Sequence, residues 1–124
     1  MDGLTVNSIS DSAIVAALGR QLNRAVARQQ VAASNLANID TPGYRAQDVR
    51  FAETLDATLQ TTGVGGDVPI MTETSGAAVR RDGNSVQVDR EMLNMTRAAG
   101  DFSAAQTALA AKFRLVRYAI NEGR

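Results

Sequence analysis

The sequence predicts a mainly α-helical chain in which long N- and C-terminal helices pack as a coiled-coil-like pair, with a short middle helix, a small β-hairpin and a flexible loop between them. Three observations predict it: an apolar stripe of alternating three- and four-residue spacing near each end, and a glycine-rich polar stretch between the two. A spacing averaging about 3.5 residues keeps one narrow seam facing a partner helix. The 124 residues suit a single domain.

The first stripe runs through Val15, Leu18, Leu22, Ala25, Gln29, Ala32, Leu36 and Ile39, and predicts a helix over about 11–38. The second runs through Val88, Met92, Met95, Ala99, Phe102, Gln106, Leu109, Phe113, Val116 and Ile120, and predicts a helix over about 89–121. At 1.5 Å per residue that helix is about 50 Å long. Asp89 is placed to cap its start, and Lys112, Arg114 and Arg117 lie toward its negative end.

Periodicity alone also fits an ordinary helical hairpin packed on its own domain. The middle of the chain weighs against that. Residues 61–87 hold Gly63, Gly65, Gly66, Gly76 and Gly83 among Thr, Asp and Ser, with few large apolar side chains to cover two long faces. Many of the apolar residues are alanines, such as Ala104, Ala105, Ala108, Ala110 and Ala111, which bury little area each. Neighbouring copies are therefore expected to supply the missing core. The candidate assembly interface is Leu18, Leu22, Gln29, Leu36, Met92, Met95, Phe102, Gln106, Leu109, Phe113, Val116 and Ile120. Gln29 and Gln106 fit either a wet edge or a register-fixing position, since a buried amide without a partner costs about 1–3 kcal/mol.

Between the stripes, Phe51, Leu55 and Leu59 recur every four residues after Asp48, predicting a short helix at about 48–60. A flexible loop is expected at 61–76. Val79, Val86 and Val88 flank Asp82-Gly83, a pair suited to a tight turn, and predict a β-hairpin at about 77–88.

The densest local signal runs from Ala33 to Tyr44, where the first stripe meets a predicted turn at 39–47. Asn38 is suited to end a helix because Asn tolerates the left-handed conformation. Pro42 lacks an amide hydrogen and drives Thr41 toward extended backbone, and Pro42-Gly43 fits the centre of a type II turn. Tyr44 follows as an aromatic placed to dock beside the helix end. By this chemistry alone the segment is a well-made helix stop.

The composition removes most ready-made catalysis. There is no His, Cys or Trp, and hence no Ser-His or Cys-His pair, no zinc site of the usual ligands and no disulfide. Carboxylates such as Asp40, Asp48, Glu53, Asp56, Asp67, Glu73 and Asp82 are scattered rather than set at calcium-loop spacing, and no glycine-rich phosphate cradle occurs. No enzyme, cofactor or metal site is expected. Thirteen basic residues balance thirteen acidic ones without a like-charge block, so neither nucleic acid nor direct membrane insertion is expected. The N-terminus does not resemble a cleaved secretory signal, which by itself suggests a cytoplasmic protein.

A resemblance alters that last expectation. Asn35-Leu36-Ala37-Asn38, followed by Asp40-Thr41-Pro42-Gly43-Tyr44, closely resembles the N-terminal signature of the flagellar axial proteins of rod, hook and hook-filament junction. Within that group, Arg45-Ala46-Gln47-Asp48-Val49-Arg50-Phe51 resembles the FlgB family, whose motif runs from Pro-Gly-Tyr through a basic and then an acidic residue to Phe. Asp82 to Val86 with Val88 to Met92 looks like the family's entry into its last helix, and Lys112-Phe113-Arg114 with Tyr118 to Gly123 like its ending. Only about 60–76 is unmatched.

The resemblance implies a non-enzymatic subunit of the proximal rod, the shaft that transmits torque from motor to filament. It implies export through the flagellar type III export gate without a cleaved signal, and assembly in the periplasmic space. The implied partners are other FlgB copies, the FliE adaptor and further flagellar rod proteins. Terminal segments are then expected to become ordered as subunits add to the rod. Two other readings stay open: another axial protein such as a FlgC-like rod component, and a soluble helical adaptor or export chaperone.

Overall fold

A computed structural model describes residues 3–51 and 69–122, with side chains from Ser12 onward. Its elements are helix α1 (Gly3–Ala37), strand β1 (Gln47–Phe51), strand β2 (Pro69–Glu73) and helix α2 (Val88–Glu122). The chain is mainly helical, as its two stripes predict.

The helices form an antiparallel pair. Ala32 shares a cavity with Glu91 and Ala98, the Gln21 side chain donates to the Asp101 carbonyl, and Ser12 and Val15 share a cleft with Phe113 and Val116. The inner positions are small. Among the described residues the buried apolar set is Ala25, Ala32, Ala46, Val86, Ala98 and Ala105. Ala25 and Ala32 on α1, and Ala98 and Ala105 on α2, are each seven residues apart, so both pairs recur at two turns and let the backbones approach closely. Alanine contributes little burial, so the apolar core among the described residues is thin.

The middle departs from the sequence expectation. Residues 48–51, expected to open a short helix, lie in β1, and the remainder of that expected helix, 52–60, falls outside the described residues. Within the expected loop 61–76, Pro69–Glu73 forms β2, which pairs antiparallel with β1 from Gln47↔Glu73 to Phe51↔Pro69. At Phe51 tertiary contacts override the helical spacing. The Gln47 backbone is held by Asn35, and the Phe51 ring lies beneath the guanidinium groups of Arg24 and Arg28, at 5.1 and 5.3 Å from its centroid.

No hairpin strands form at 77–88. The tight turn is present: the N–H of Gly83 donates to the Arg80 carbonyl, Arg80 N–H donates to the Asn84 carbonyl, and Gly83 takes φ +85°. This is the bonding of a three-residue hairpin loop. The residues beside it do not extend into a ladder because their polar groups are taken up by the end of α1.

Helix boundaries also shift. The first helix starts at Gly3 rather than near 11, and Asp89 sits inside the first turn of α2 instead of capping it. Asn38 does not end α1 through left-handed backbone, since no non-glycine residue among those described has positive φ. The helix tightens instead: Asn38 and Ile39 N–H donate three residues back, to Asn35 and Leu36, and the Asn38 amide donates to the Ser34 carbonyl at 2.8 Å.

Candidate assembly site: a hydrogen-bonded lock beside open helical faces

At the end of α1, a stop made from residues 35–47 is clasped by residues 80–86. Asn35 is fully buried, and its Nδ2 donates to the Gln47 carbonyl at 2.9 Å. Its Oδ1 accepts from the Gln47 N–H at 3.0 Å and from the Tyr44 hydroxyl at 3.3 Å. One amide side chain thus meets the backbone of Gln47 as a neighbouring strand residue would. That contact turns the chain from helix into β1.

Pro42 and Gly43 occupy the centre of the expected type II turn. The Tyr44 N–H donates to the Thr41 carbonyl and Gly43 has φ +78°. Thr41 Oγ1 also donates to Asn38 Oδ1.

The 80–86 segment completes the clasp. Asn84 is fully buried, and its Nδ2 donates to the carbonyls of both Asn38 and Thr41 at 2.8 Å, while its Oδ1 accepts from Val86 N–H at 2.8 Å. Gly43 N–H donates to the Asp82 carbonyl, and Ser85 N–H to that of Tyr44. The Ser85 hydroxyl accepts from Ala46 N–H at 2.8 Å. Arg80 donates to the carbonyls of Ile39 and Val86. Carbonyls that the helix end would leave orphaned are satisfied here by side chains from roughly 40 residues away.

Asp48 ties the lock to both β2 and α2. Its Oδ1 accepts from the Thr74 hydroxyl and its Oδ2 lies 3.3 Å from Arg90. The pair is partly exposed and modest in strength, but it fixes the first turn of α2 against β1.

The motif residues from the sequence thus come together, with different roles. Asn35 is buried, Leu36, Asn38 and Tyr44 are partly buried, and Ala37, Asp40, Thr41, Pro42 and Gly43 are exposed. Sequence reasoning missed Arg80, Asn84 and Ser85, having assigned that stretch to a hairpin. The signal was the Asn-Ser pair directly after Asp-Gly, because both side chains readily bond to backbone.

The assembly candidates divide by face. Leu18, Leu22, Leu36, Met95, Phe102 and Leu109 are partly buried along the edges of the helix pair. Met92, Phe113, Val116 and Ile120 are exposed, as are Gln29 and Gln106. On α2 the chain's own partner covers the line Glu91, Ala98 and Ala105, rotated from the predicted seam. The larger apolar side chains are displaced outward by that rotation. Phe113 and Val116 also line an open cleft of about 390 Å³ with Val15 and Ala16.

One buried side chain stands unsatisfied. Glu91 is 1% exposed, and neither carboxylate oxygen has a hydrogen-bond partner. It borders a cavity of about 380 Å³ between the helices and β1, shared with Arg28, Asp48, Arg90, Asn94 and Arg97. No group of three or more acidic side chains gathers at metal-binding geometry among the described residues.

Residues 18–45, which span the end of α1 and its turn, match the family model described as flagella basal body rod protein. The chain is 28% identical to the flagellar basal body rod protein FlgB of Escherichia coli (strain K12), covering 82% of this chain and 88% of that protein. It is 27% identical to FlgB of Bacillus subtilis (strain 168), covering 86% and 92%. A shorter match to FlgB of Salmonella typhimurium reaches 53% identity over 34 residues, 27% of this chain and 25% of that protein. The long matches run through both helices and the lock between them, so over most of its length the chain is similar to the FlgB flagellar basal-body rod proteins, which supports a structural and non-enzymatic role.

Proposed function

We propose that this rod subunit builds the proximal rod by side-to-side packing of its two helices against those of neighbouring copies, through coiled-coil-like seams. The observation that carries the reading is the open apolar face of α2, where Met92, Phe113, Val116 and Ile120 are 58%, 54%, 43% and 60% exposed. Single exposed apolar residues are ordinary, but a line of them along one helix marks a contact surface. The six small buried apolar residues of the described chain offer no other home for it.

In this reading the lock is the part that holds its shape within one chain, since its buried amides are satisfied internally. The helical ends gain their order by joining the rod. Fixing backbone costs about 1–2 kcal/mol per residue, and alanine contacts alone do not offset that over long helices. Packing against neighbours does.

The same reading takes the subunit to the rod by way of the flagellar type III export gate, without a cleaved signal, and places it in the periplasmic space. The FliE adaptor and other rod proteins are its neighbours along the shaft. Among the described residues no helix is long and apolar enough to cross a membrane. Isolated basal bodies test the proposal. The chain should co-purify with the rod, and a chain found only with unassembled export substrates would favour a chaperone instead.

A further inference from the structure

The two helices differ on the sides they turn away from each other. On α1, opposite the buried Ala25 and Ala32, the line runs through Arg20, Asn23, Gln30 and Ser34, a polar surface suited to water. On α2, away from Glu91, Ala98 and Ala105, the line starts at Leu93 and ends at Ala104, Ala108, Ala111, Leu115 and Tyr118, with Arg97 and Gly100 filling its three- and four-residue steps. All of these positions are exposed, Leu93 by 48%, Leu115 by 64% and Tyr118 by 57%. Arg97 is the one charge on the line, and a Cβ added at Gly100 would meet nothing within 4 Å. Phe113, Val116 and Ile120 stand on the other side of the same helix turns, so the end of α2 is apolar on two sides. That is the pattern of an interior helix.

The two apolar sides are unlike in bulk. One carries Phe113, Val116 and Ile120, whereas the other is a shallow trough of Gly100, Ala104, Ala108 and Ala111 closed by Leu115 and Tyr118. Small residues let a second helix approach closely and leave room for its larger side chains. The outward line of α1 is polar and offers no such match. Identical chains joined through unlike faces extend into a ring or an open helical rod, whereas like faces close a pair.

At 1.5 Å per residue the outward line of α2 is about 38 Å long, and at a helix width of about 10 Å it offers about 400 Å² per copy. A standard pairwise complex buries roughly 800 Å² on each partner. The contact is too small to hold a dimer alone. It suits a chain that uses both sides of α2 at once.

We propose that the outward face of α2 receives the Phe113, Val116 and Ile120 line of a second copy, so that α2 lies between two neighbours while the outward side of α1 meets water. This rests on the rod-subunit reading and assigns the surface that covers its open apolar line.

The absence of cysteine makes the test direct. Chains carrying Ala104→Cys, Ala108→Cys or Ala111→Cys are each produced together with a differently tagged Val116→Cys chain, and the isolated basal bodies are treated with a short bis-maleimide. Gln30→Cys, on the outward side of α1, replaces the alanine variants in the control. At least one alanine position should give tenfold more mixed dimer than Gln30→Cys, and equal yields at all three overturn the contact. In a second arm, Ala108→Glu should lower rod yield at least tenfold with the circular dichroism of the isolated chain unchanged, while Gln30→Glu keeps more than half. Normal rod yield with Ala108→Glu overturns the contact. Loss of rods with Ala108→Glu but no mixed dimer at any position assigns the face to a different protein and overturns the second copy as its occupant. Absence of the unaltered chain from basal bodies is a separate result, which overturns the rod-subunit reading and this contact with it.

Discussion

Asn35 holds the backbone of Gln47 by both ends of one amide, donating to its carbonyl at 2.9 Å and accepting from its N–H at 3.0 Å. The residue that closes a long helix is thus also the first partner of the strand that follows. Together with the Arg24 and Arg28 contacts on Phe51, that side chain joins the helical shaft to the β1–β2 pair.

Asn35→Leu keeps the approximate volume and removes both bonds. Each buried backbone group left unpaired costs about 1–3 kcal/mol. Urea unfolding of the purified chain should show a loss in that range or above, and amide exchange at Gln47 should accelerate. A midpoint equal to that of the unaltered chain would remove Asn35 from the centre of the lock.

Gly83 and Gly43 both have positive φ, and a Cβ added to Gly83 would stand 3.2 Å from the Gly43 Cα. Gly83→Ala should therefore destabilise through both strain and crowding, by more than about 1 kcal/mol. Gly100 lies within α2 with nothing inside 4 Å of an added Cβ. Gly100→Ala should raise helicity and stability by roughly 0.5–1 kcal/mol. Opposite signs of the two shifts in denaturant midpoint are the expected outcome.

Phe113 is 54% exposed, so Phe113→Asp should change the stability of the isolated chain by less than about 0.5 kcal/mol. In the rod the same change buries a charge, and it should abolish incorporation and motility. Normal rods in cells carrying only this variant would show that the outer face of α2 is not an interface.

Limited trypsin digestion of the isolated chain should cut first after Arg114 and Arg117, on the open end of α2, and last after Arg80, which is tied to Ile39 and Val86. Circular dichroism of the same sample should show less helix than the assembled rod. A fully helical, cooperatively melting monomer with uniform protease resistance would defeat coupled folding and assembly.

Gln106 is exposed, with no role inside the chain's own helix pair. Gln106→Leu should leave isolated-chain stability within about 0.5 kcal/mol. A change in rod geometry or partner choice in that variant would assign Gln106 to register between copies.

The sequence by itself determined the two long helices, the turn that ends the first, and the resemblance to flagellar rod proteins, because these rest on short-range periodicity and a contiguous motif. Val15, Leu18, Leu22, Ala25 and Ala32 do lie on the inner side of α1 as their spacing predicts. Tertiary structure decided what spacing cannot encode. It put residues 48–51 into a strand because Asn35 and β2 satisfy their backbone, and it spread Arg80, Asn84 and Ser85 over the end of α1 instead of pairing them in a hairpin. It also chose which side of α2 faces inward. The line Glu91, Ala98 and Ala105 brings the two backbones close, and bulkier Met92, Phe113 and Ile120 are left outside. Close packing of small residues sets that rotation, which leaves the larger apolar side chains exposed.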